Sequence, residues 1–428
     1  MSQLASDSRP GLGDPGASGL WAEQIRSALS ELTLPRRRVE VVLVVVLALA
    51  VGVGAMVVAM NSTNVYLAAD GAHAAANARS LLSAPGADFL PGWPAILLPF
   101  LLAGLGPIGA LEAGMVLLLA ALFGGLYALA RFHTTPRAAF VGAVAGTLST
   151  SVAELIGWQG GATLTGLVGT VYALVFLEQW LRVGGRRNAL LTGAAYAAIV
   201  ASHPFMTAVA TGLLGLRWLA GWYESRHRSL RGWSPLGLQG ILLGATLPVL
   251  TMLVLVRGYT SGLDAPSGSG LRLPQFDASL QQLTWITRES PDLLVVTVIL
   301  LIAALIAPLA IRSIAFGIAL IFVALPAVLS GDPSYQSRVV YILPIALALG
   351  GAWLWRAVDG WLPARTASHV VGRVGLVAAP ALAATLIVAL GFAHRLPAAA
   401  AYYPQLQASN VGLLKGLANG SGTVLTSW

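Results

Sequence analysis

Continuous apolar runs of about 20 residues, separated by short polar segments, follow one another along most of this chain. A run of that length crosses the hydrocarbon core of a bilayer as an α-helix. The pattern predicts an all-α, polytopic membrane bundle with about 11 spanning helices, at approximately 40–60, 110–130, 138–156, 162–181, 189–202, 204–222, 236–256, 292–309, 313–330, 339–356 and 374–393.

One apolar segment, from Pro94 to Leu105, has only about 12 residues and is too short to cross. We interpret it as an interfacial helix on the outer side, at the end of a long first outer loop that begins at Asn61. Treating it as a full span would invert the topology of everything that follows and would place Arg131 and Arg137 outside.

Composition agrees with a membrane protein. Hydrophobic residues make up 57% of the 428 residues and charged residues 10%, with a mean hydropathy of +0.77. Soluble proteins carry roughly 25% charged residues, so a soluble enzyme is excluded. The net charge of +8 does not indicate nucleic-acid binding, because the arginines are spread between apolar spans. The chain has no cysteine, which excludes disulfides and a thiol nucleophile.

The basic residues set the expected orientation. With the N-terminus inside, 18 of the 25 lysines and arginines fall in inner segments and 7 in outer ones, as the positive-inside rule requires. We therefore predict a protein of the cytoplasmic membrane, N-terminus inside and C-terminus outside. Its expected parts are a flexible cytoplasmic tail (1–35), a transmembrane domain (36–395) and an outer segment (396–428), either a short tail or the start of a larger soluble domain.

In this topology a group of carboxylates falls on the outer side, together with the long loops, which predicts that the function resides there. The predicted outer acids are Asp70, Asp88, Glu154, Asp264, Asp277, Glu289, Asp292 and Asp332. In contrast, Glu178 lies near the inner face, and we interpret it as marking the end of its helix.

Two of the outer acids are candidates for chemistry. Asp70 lies about ten residues beyond the first span, where a carboxylate can act as a general base toward a hydroxyl while a lipid substrate approaches from the bilayer. An Asp-Gly pair is also a common turn signal. Glu154, at the outer end of the third span, is a costly residue in an apolar helix, which suggests a binding site. The alternative is an interfacial glutamate beside Trp158.

Three further residues are candidates for substrate binding. His203 lies at a tight outer turn and could donate to a phosphate, or it could serve only the turn. Arg338 opens a helix with Tyr341 and Pro344 close behind, and a guanidinium there can bind a phosphate bidentately. The alternative for Arg338 is a side chain that reaches outer headgroups. We assign Tyr341 to the same substrate-binding set. No metal-ligand spacing, phosphate-binding loop or dinucleotide motif is present.

The layout resembles the GT-C superfamily of integral membrane glycosyltransferases. The features that carry the resemblance are the acid in the long first outer loop (Asp70), the Pro-rich segment from Phe89 to Pro99, the break at Leu105-Gly106-Pro107, the helix end at Leu129-Ala130-Arg131, the second outer acid (Glu154) and the late motif Arg338, Tyr341, Pro344. The family often pairs acids near the first loop, whereas Asp70 stands alone.

The resemblance implies sugar transfer from a polyprenyl-phosphate donor to an acceptor glycan, lipid or protein of the cell envelope. Asp70 would be the general base, and Glu154 would bind acceptor or sugar, or assist a divalent metal ion if one is used. Arg338, with His203, would stabilise the negative charge of the leaving phosphate. A direct displacement would invert the anomeric centre.

Two other classes of function stay open on the sequence alone. A transporter or lipid flippase would need polar residues at mid-membrane and broken helices, whereas the acids here cluster at one face. A non-catalytic assembly subunit could use the same fold to hold partners.

Overall fold

The computed structural model describes residues 34–62, 74–79, 81, 90–157, 160–228, 244, 291–328 and 338–361. Within these residues every regular element is helical. In chain order the elements are α1 (Leu34–Ser62), α2 (Gly92–Leu102), α3 (Pro107–Arg131), α4 (Pro136–Thr147), α5 (Thr150–Gly157), α6 (Gly161–Val183), α7 (Arg186–Val200), α8 (Pro204–Arg228), α9 (Pro291–Ile306), α10 (Leu309–Val328), a 3-10 turn (Arg338–Ile342) and α11 (Leu343–Trp361).

The chain divides into two units, residues 1–47 and 48–428. In the first, the description covers only the beginning of α1, from Leu34. The second holds all the other elements, and the packing described below belongs to it. The predicted spans at 236–256 and 374–393, the tails 1–33 and 362–428, and most of the two long outer loops lie outside the described residues.

Three of the described helices are long and apolar enough to cross a membrane: Glu40–Val57 within α1, Pro107–Arg131 (α3) and Gly161–Val183 (α6). The bent pair α4–α5 would be a fourth if it forms one span. Helices also occupy the predicted spans at 189–202, 204–222, 292–309, 313–330 and 339–356. The described part of the chain thus agrees with an all-α membrane fold, while the total of 11 spans stays a prediction.

The short helix expected near residues 94–105 is confirmed as α2, which has 11 residues. Its buried face, formed by Trp93, Pro94 and Leu97, packs toward α3. Gly104, just past its end, adopts φ +87°, a left-handed conformation that glycine reaches without strain. The chain therefore turns there, and Pro107 begins α3 with the fixed φ that suits a first helical position.

The third predicted span, 138–156, is not one straight helix. It consists of α4 and α5, which meet at an angle of 43°. Leu148 leaves helical geometry at φ −97° and ψ 27°, and it is followed by Ser149, Thr150 and Ser151. Hydroxyl side chains compete for backbone hydrogen bonds, which favours a break at this point.

Two glycines let α4 approach α11 closely. Gly142 and Gly146 are four residues apart on one face of α4, a small-residue spacing typical of membrane helix pairs. A Cβ atom at Gly142 would lie 2.2 Å from the carbonyl oxygen of Ala348, and one at Gly146 would lie 2.6 Å from that of Pro344. The two helices are antiparallel, because Gly146 faces the beginning of α11 and Gly142 faces a point one turn further along.

We expect Gly142→Ala to destabilise the protein, because the new methyl group would meet backbone rather than a side chain that can move. Overpacking of this kind costs about 1–3 kcal/mol. The matched control is Gly54→Ala, where an added Cβ would meet nothing within 4 Å. Thermal unfolding of both variants in detergent measures the difference. Equal melting temperatures would contradict the close α4–α11 packing.

The bundle has two chemically different ends. At the first, called here the acidic end, α3, α6, α8 and α9 begin, and the charged residues that α3 to α11 and the 3-10 turn place there are Glu112, Glu154, Asp292 and Arg338. The second end, called the arginine end, is where those helices finish. It has three acidic residues, Glu178, Glu224 and Asp359. Its basic residues are far more numerous: Arg131, Arg137, Arg182, Arg186, Arg187, Arg217, Arg226, Arg228, Arg312 and Arg356. By the positive-inside rule, this distribution predicts that the arginine end faces the cytoplasm.

Candidate active site and a buried ion cluster

Three parts of the chain meet at the acidic end. The backbone N–H of Gly92, at the start of α2, donates to the carbonyl oxygen of Ala201 at 2.8 Å. The indole ring of Trp93 lies against Gly161, where a Cβ atom would come within 2.2 Å of the ring. The first residues of α2, the first residues of α6 and the turn between α7 and α8 therefore form one packed group.

His203 belongs to this group. It is the last residue of the α7–α8 turn and is only 8% exposed. Its N–H donates to the carbonyl oxygen of Ile199 at 3.0 Å, and its own carbonyl oxygen accepts from Thr207. The imidazole ring packs edge-on against Phe205, with the ring centroids 6.2 Å apart. The structure thus packs His203 at the acidic end of the bundle, and its outer location and its role toward a phosphate stay predictions.

Glu154 is buried in α5, with 2% exposure. The helix that carries it packs against α6, α11 and the 3-10 turn. Burial of a carboxylate in an apolar membrane helix is costly unless the group has a function or a partner, and Glu154 does make a polar interaction within the structure. In the described part of the chain, no three His, Asp or Glu side chains lie close enough to hold a metal ion.

The 3-10 turn places the predicted Arg338 motif beside the Glu154 helix. The turn begins at Arg338 and contacts α5, α6, α10 and α11. Tyr341, within it, is 6% exposed and has an interaction partner in the structure. Only the backbone position of Arg338 is described, and Asp70 lies outside the described residues. The structure therefore brings together the elements of Glu154, Tyr341 and Arg338, and it places His203 at the same end.

Sequence reasoning missed a set of buried hydroxyl groups at this end. The side-chain oxygens of Thr147, Ser149 and Thr163 are buried, and within the described chain none of them has a hydrogen-bond partner. They lie at the end of α4, in the α4–α5 break and in the first turn of α6. Buried hydroxyls normally pair, so these three are exceptions within the described residues. Isolated serines and threonines give no sequence signal that could have revealed them.

The arginine end holds a second polar group, built around Glu178. Its side chain is fully buried, and Arg217 binds it with two hydrogen bonds: Nε donates to Oε1, and Nη2 donates to Oε2 at 3.1 Å. Arg182 Nε lies 3.8 Å from Oε2, and Arg217 Nη1 lies 3.6 Å from Glu224. The interpretation of Glu178 as a simple helix-end residue was therefore incomplete, since it is the centre of an ion cluster that joins α6 to α8.

His133, in the connection between α3 and α4, completes this cluster. Burial is the main cause that lowers the pKa of His133 to about 4, and the two arginines lower it further, while Glu178 opposes the shift. The imidazole is therefore neutral at pH 7. Because Arg182 Nη2 donates to Nδ1 at 3.3 Å, the proton is on Nε2, which faces Glu178 Oε1 at 3.7 Å. Arg356 ties α11 to the same connection by donating to the His133 carbonyl oxygen at 2.8 Å.

Comparison with known proteins shows that this chain resembles two solved structures. No family model and no curated protein sequence matches the chain. The arabinofuranosyltransferase AftD from Mycobacteria superposes with a TM-score of 0.51 at 20% identity, over 85% of this chain and 27% of that protein. The chain thus spans about a quarter of the length of AftD.

A second solved structure, ArnT from Cupriavidus metallidurans bound to undecaprenyl phosphate, superposes with a TM-score of 0.52 at 16% identity, over 88% of this chain and 77% of ArnT. Both proteins are membrane glycosyltransferases of the GT-C superfamily. At these identities the likeness is one of fold. Taken with its apolar helices, it shows that this chain is an integral membrane protein with the GT-C fold.

Proposed function

We propose that this protein is a glycosyltransferase that transfers a sugar from a polyprenyl-phosphate donor to an acceptor of the cell envelope, at the outer face of the cytoplasmic membrane. The observation that carries the proposal is the contact of the Glu154 helix with the 3-10 turn of Arg338 in a chain with the GT-C fold. The superposition with ArnT bound to undecaprenyl phosphate supports a lipid-phosphate donor.

In the proposed reaction Asp70 accepts the proton of an acceptor hydroxyl, whose oxygen attacks the anomeric carbon of the donor sugar. The bond between that carbon and the phosphate oxygen breaks, and the polyprenyl phosphate leaves with its electron pair. A single displacement of this kind inverts the anomeric configuration. The buried carboxylate of Glu154 and the phenol of Tyr341 bind the sugar or the acceptor.

The leaving phosphate gains negative charge as the bond breaks, so a fixed cation lowers the barrier most in the transition state. Arg338 has the planar guanidinium that matches a phosphate. His203, whose ring packs against Phe205 in the α7–α8 turn, is the proposed hydrogen-bond donor to the same phosphate. These assignments place the donor phosphate at the acidic end, which the distribution of charges predicts to face outward.

The experiment that tests the activity uses purified full-length protein in proteoliposomes, with a panel of radiolabelled polyprenyl-phosphate sugars that includes arabinofuranose, and with envelope extract as acceptor. Sugar transfer with release of polyprenyl phosphate supports the proposal, and NMR of the product gives the anomeric configuration. Movement of intact donor across the bilayer without release of polyprenyl phosphate would identify a flippase instead.

We expect Arg338→Ala to impair use of the donor more than use of the acceptor. Loss of one charge-stabilising group at a reacting phosphate should lower kcat/KM for the donor by about 10²-fold. Arg257→Ala, which removes another predicted outer arginine, serves as the control and should stay near the wild-type value. Steady-state kinetics with each substrate varied in turn give both constants. An equal loss for donor and acceptor would argue against contact between Arg338 and the phosphate.

A further inference from the structure

A groove lies between α8 and α10 at the arginine end, far from the proposed active site. Its volume is about 420 Å³, within the range of pockets that hold small molecules. Its walls are mostly apolar, and the residues that line it include Leu216, Leu219, Ala220, Tyr223, Arg312 and Phe316.

Apolar side chains in the walls of this groove are exposed on the outer surface of the helix bundle. Leu219 is 50% exposed and Phe316 is 56% exposed, although both are large hydrophobic side chains on helices with an apolar composition. In a membrane protein such surfaces face lipid. The groove can therefore hold a hydrocarbon chain between α8 and α10.

One cation borders the groove. Arg312 lies in the first turn of α10, and its side chain is exposed. Within the described part of the chain, no hydrogen bond or ion pair engages its guanidinium. Because a guanidinium binds phosphate oxygens bidentately, a cation beside an apolar groove matches the two parts of a phospholipid.

We propose that this groove is a binding site for an anionic phospholipid of the cytoplasmic leaflet. The phosphate binds Arg312, and one acyl chain lies along Leu219 and Phe316. Charge favours this occupant, since the predicted cytoplasmic leaflet is the one that carries anionic lipids and basic residues dominate this end of the bundle. A second copy of the chain docked by the same end would bring arginines against arginines. The proposal does not depend on the proposed catalytic activity.

Native mass spectrometry of the full chain in detergent tests this site, with phosphatidylglycerol and phosphatidylcholine of the same acyl composition as probes. We expect wild type to retain phosphatidylglycerol preferentially. Arg312→Gln should weaken phosphatidylglycerol binding by about tenfold, the size expected for losing one hydrogen-bonded charge pair. Arg137→Gln, at an exposed arginine of the same end that does not line the groove, is the matched control and should bind as wild type does.

A second variant, Ala220→Trp, fills the groove while it leaves Arg312 in place, so it should reduce retention of both lipids. Thermal unfolding in detergent verifies that each variant is folded. Equal retention of the two lipids by wild type, or undiminished phosphatidylglycerol binding by Arg312→Gln, would overturn the proposal. A dimer that forms in place of the lipid adduct, and is lost in Ala220→Trp, would show that the groove holds a second copy instead.

Discussion

Replacement of Asp70 by asparagine should abolish sugar transfer, with kcat reduced by about 10²- to 10⁴-fold, the usual contribution of a general base. Asparagine keeps the size of the side chain and its ability to accept a hydrogen bond from the acceptor hydroxyl. It cannot take the proton, so the attacking oxygen stays a poor nucleophile. Donor binding should be unchanged, because in this mechanism the base contacts only the acceptor.

The measurement is transfer of a radiolabelled sugar in proteoliposomes, with protein abundance determined in the same membranes. The matched control is Asp88→Asn, which makes the same change at another acid of the same predicted outer loop and should leave transfer near wild type. Full activity in Asp70→Asn would remove Asp70 as the base. If both variants lost activity equally, the loop as a whole, rather than one carboxylate, would be required.

Local patterns in the sequence predicted most of the described elements because each pattern depends on residues close together in the chain. The 12-residue apolar segment after Trp93 predicted α2, and the His203-Pro204 pair predicted the tight turn between α7 and α8. The bend between α4 and α5 was not predicted. Hydropathy averages over a window of about 19 residues, and two short apolar helices joined at an angle give the same average as one long helix.

The candidate site was predicted as a list of residues, and only part of that list can be compared with the structure. The elements of Glu154 and Arg338, more than 180 residues apart in the chain, do pack together. The sequence led to this expectation through the orientation of the helices, which places both at one end.

The sequence could not indicate the partners of Glu178, because Arg217 lies 39 residues away on another helix. Such a pairing depends on which faces of α6 and α8 meet, and hydropathy carries no information about that.

The ion cluster matters for stability because Glu178 is fully buried while its charge is matched from several sides. The two hydrogen bonds from Arg217 satisfy both carboxylate oxygens. Arg182 is nearby, and the neutral His133 adds a polar contact. The group links α6, α8 and the α3–α4 connection. Removal of one partner from a buried pair leaves the other charge without compensation, and that loss exceeds the energy of the original pair.

We therefore expect Glu178→Gln to destabilise the protein by about 3–5 kcal/mol. The substitution removes the negative charge that balances the positive charges of Arg217 and Arg182. Glu224→Gln is a matched control. That carboxylate is 27% exposed and meets Arg217 at 3.6 Å, so the same change there should cost about 1 kcal/mol or less. Thermal unfolding in one detergent, at one pH, compares the two variants directly.

A double variant, Glu178→Gln with Arg217→Gln, separates a charge pair from simple packing. If the buried arginine without its partner causes the loss, its removal should restore part of the stability, and the two single effects should not add. If the cluster only fills space, the double variant should be as unstable as the sum of the single changes. Sugar transfer per folded molecule should be the same in Glu178→Gln as in wild type, because the cluster lies at the opposite end of the bundle from Glu154 and the 3-10 turn.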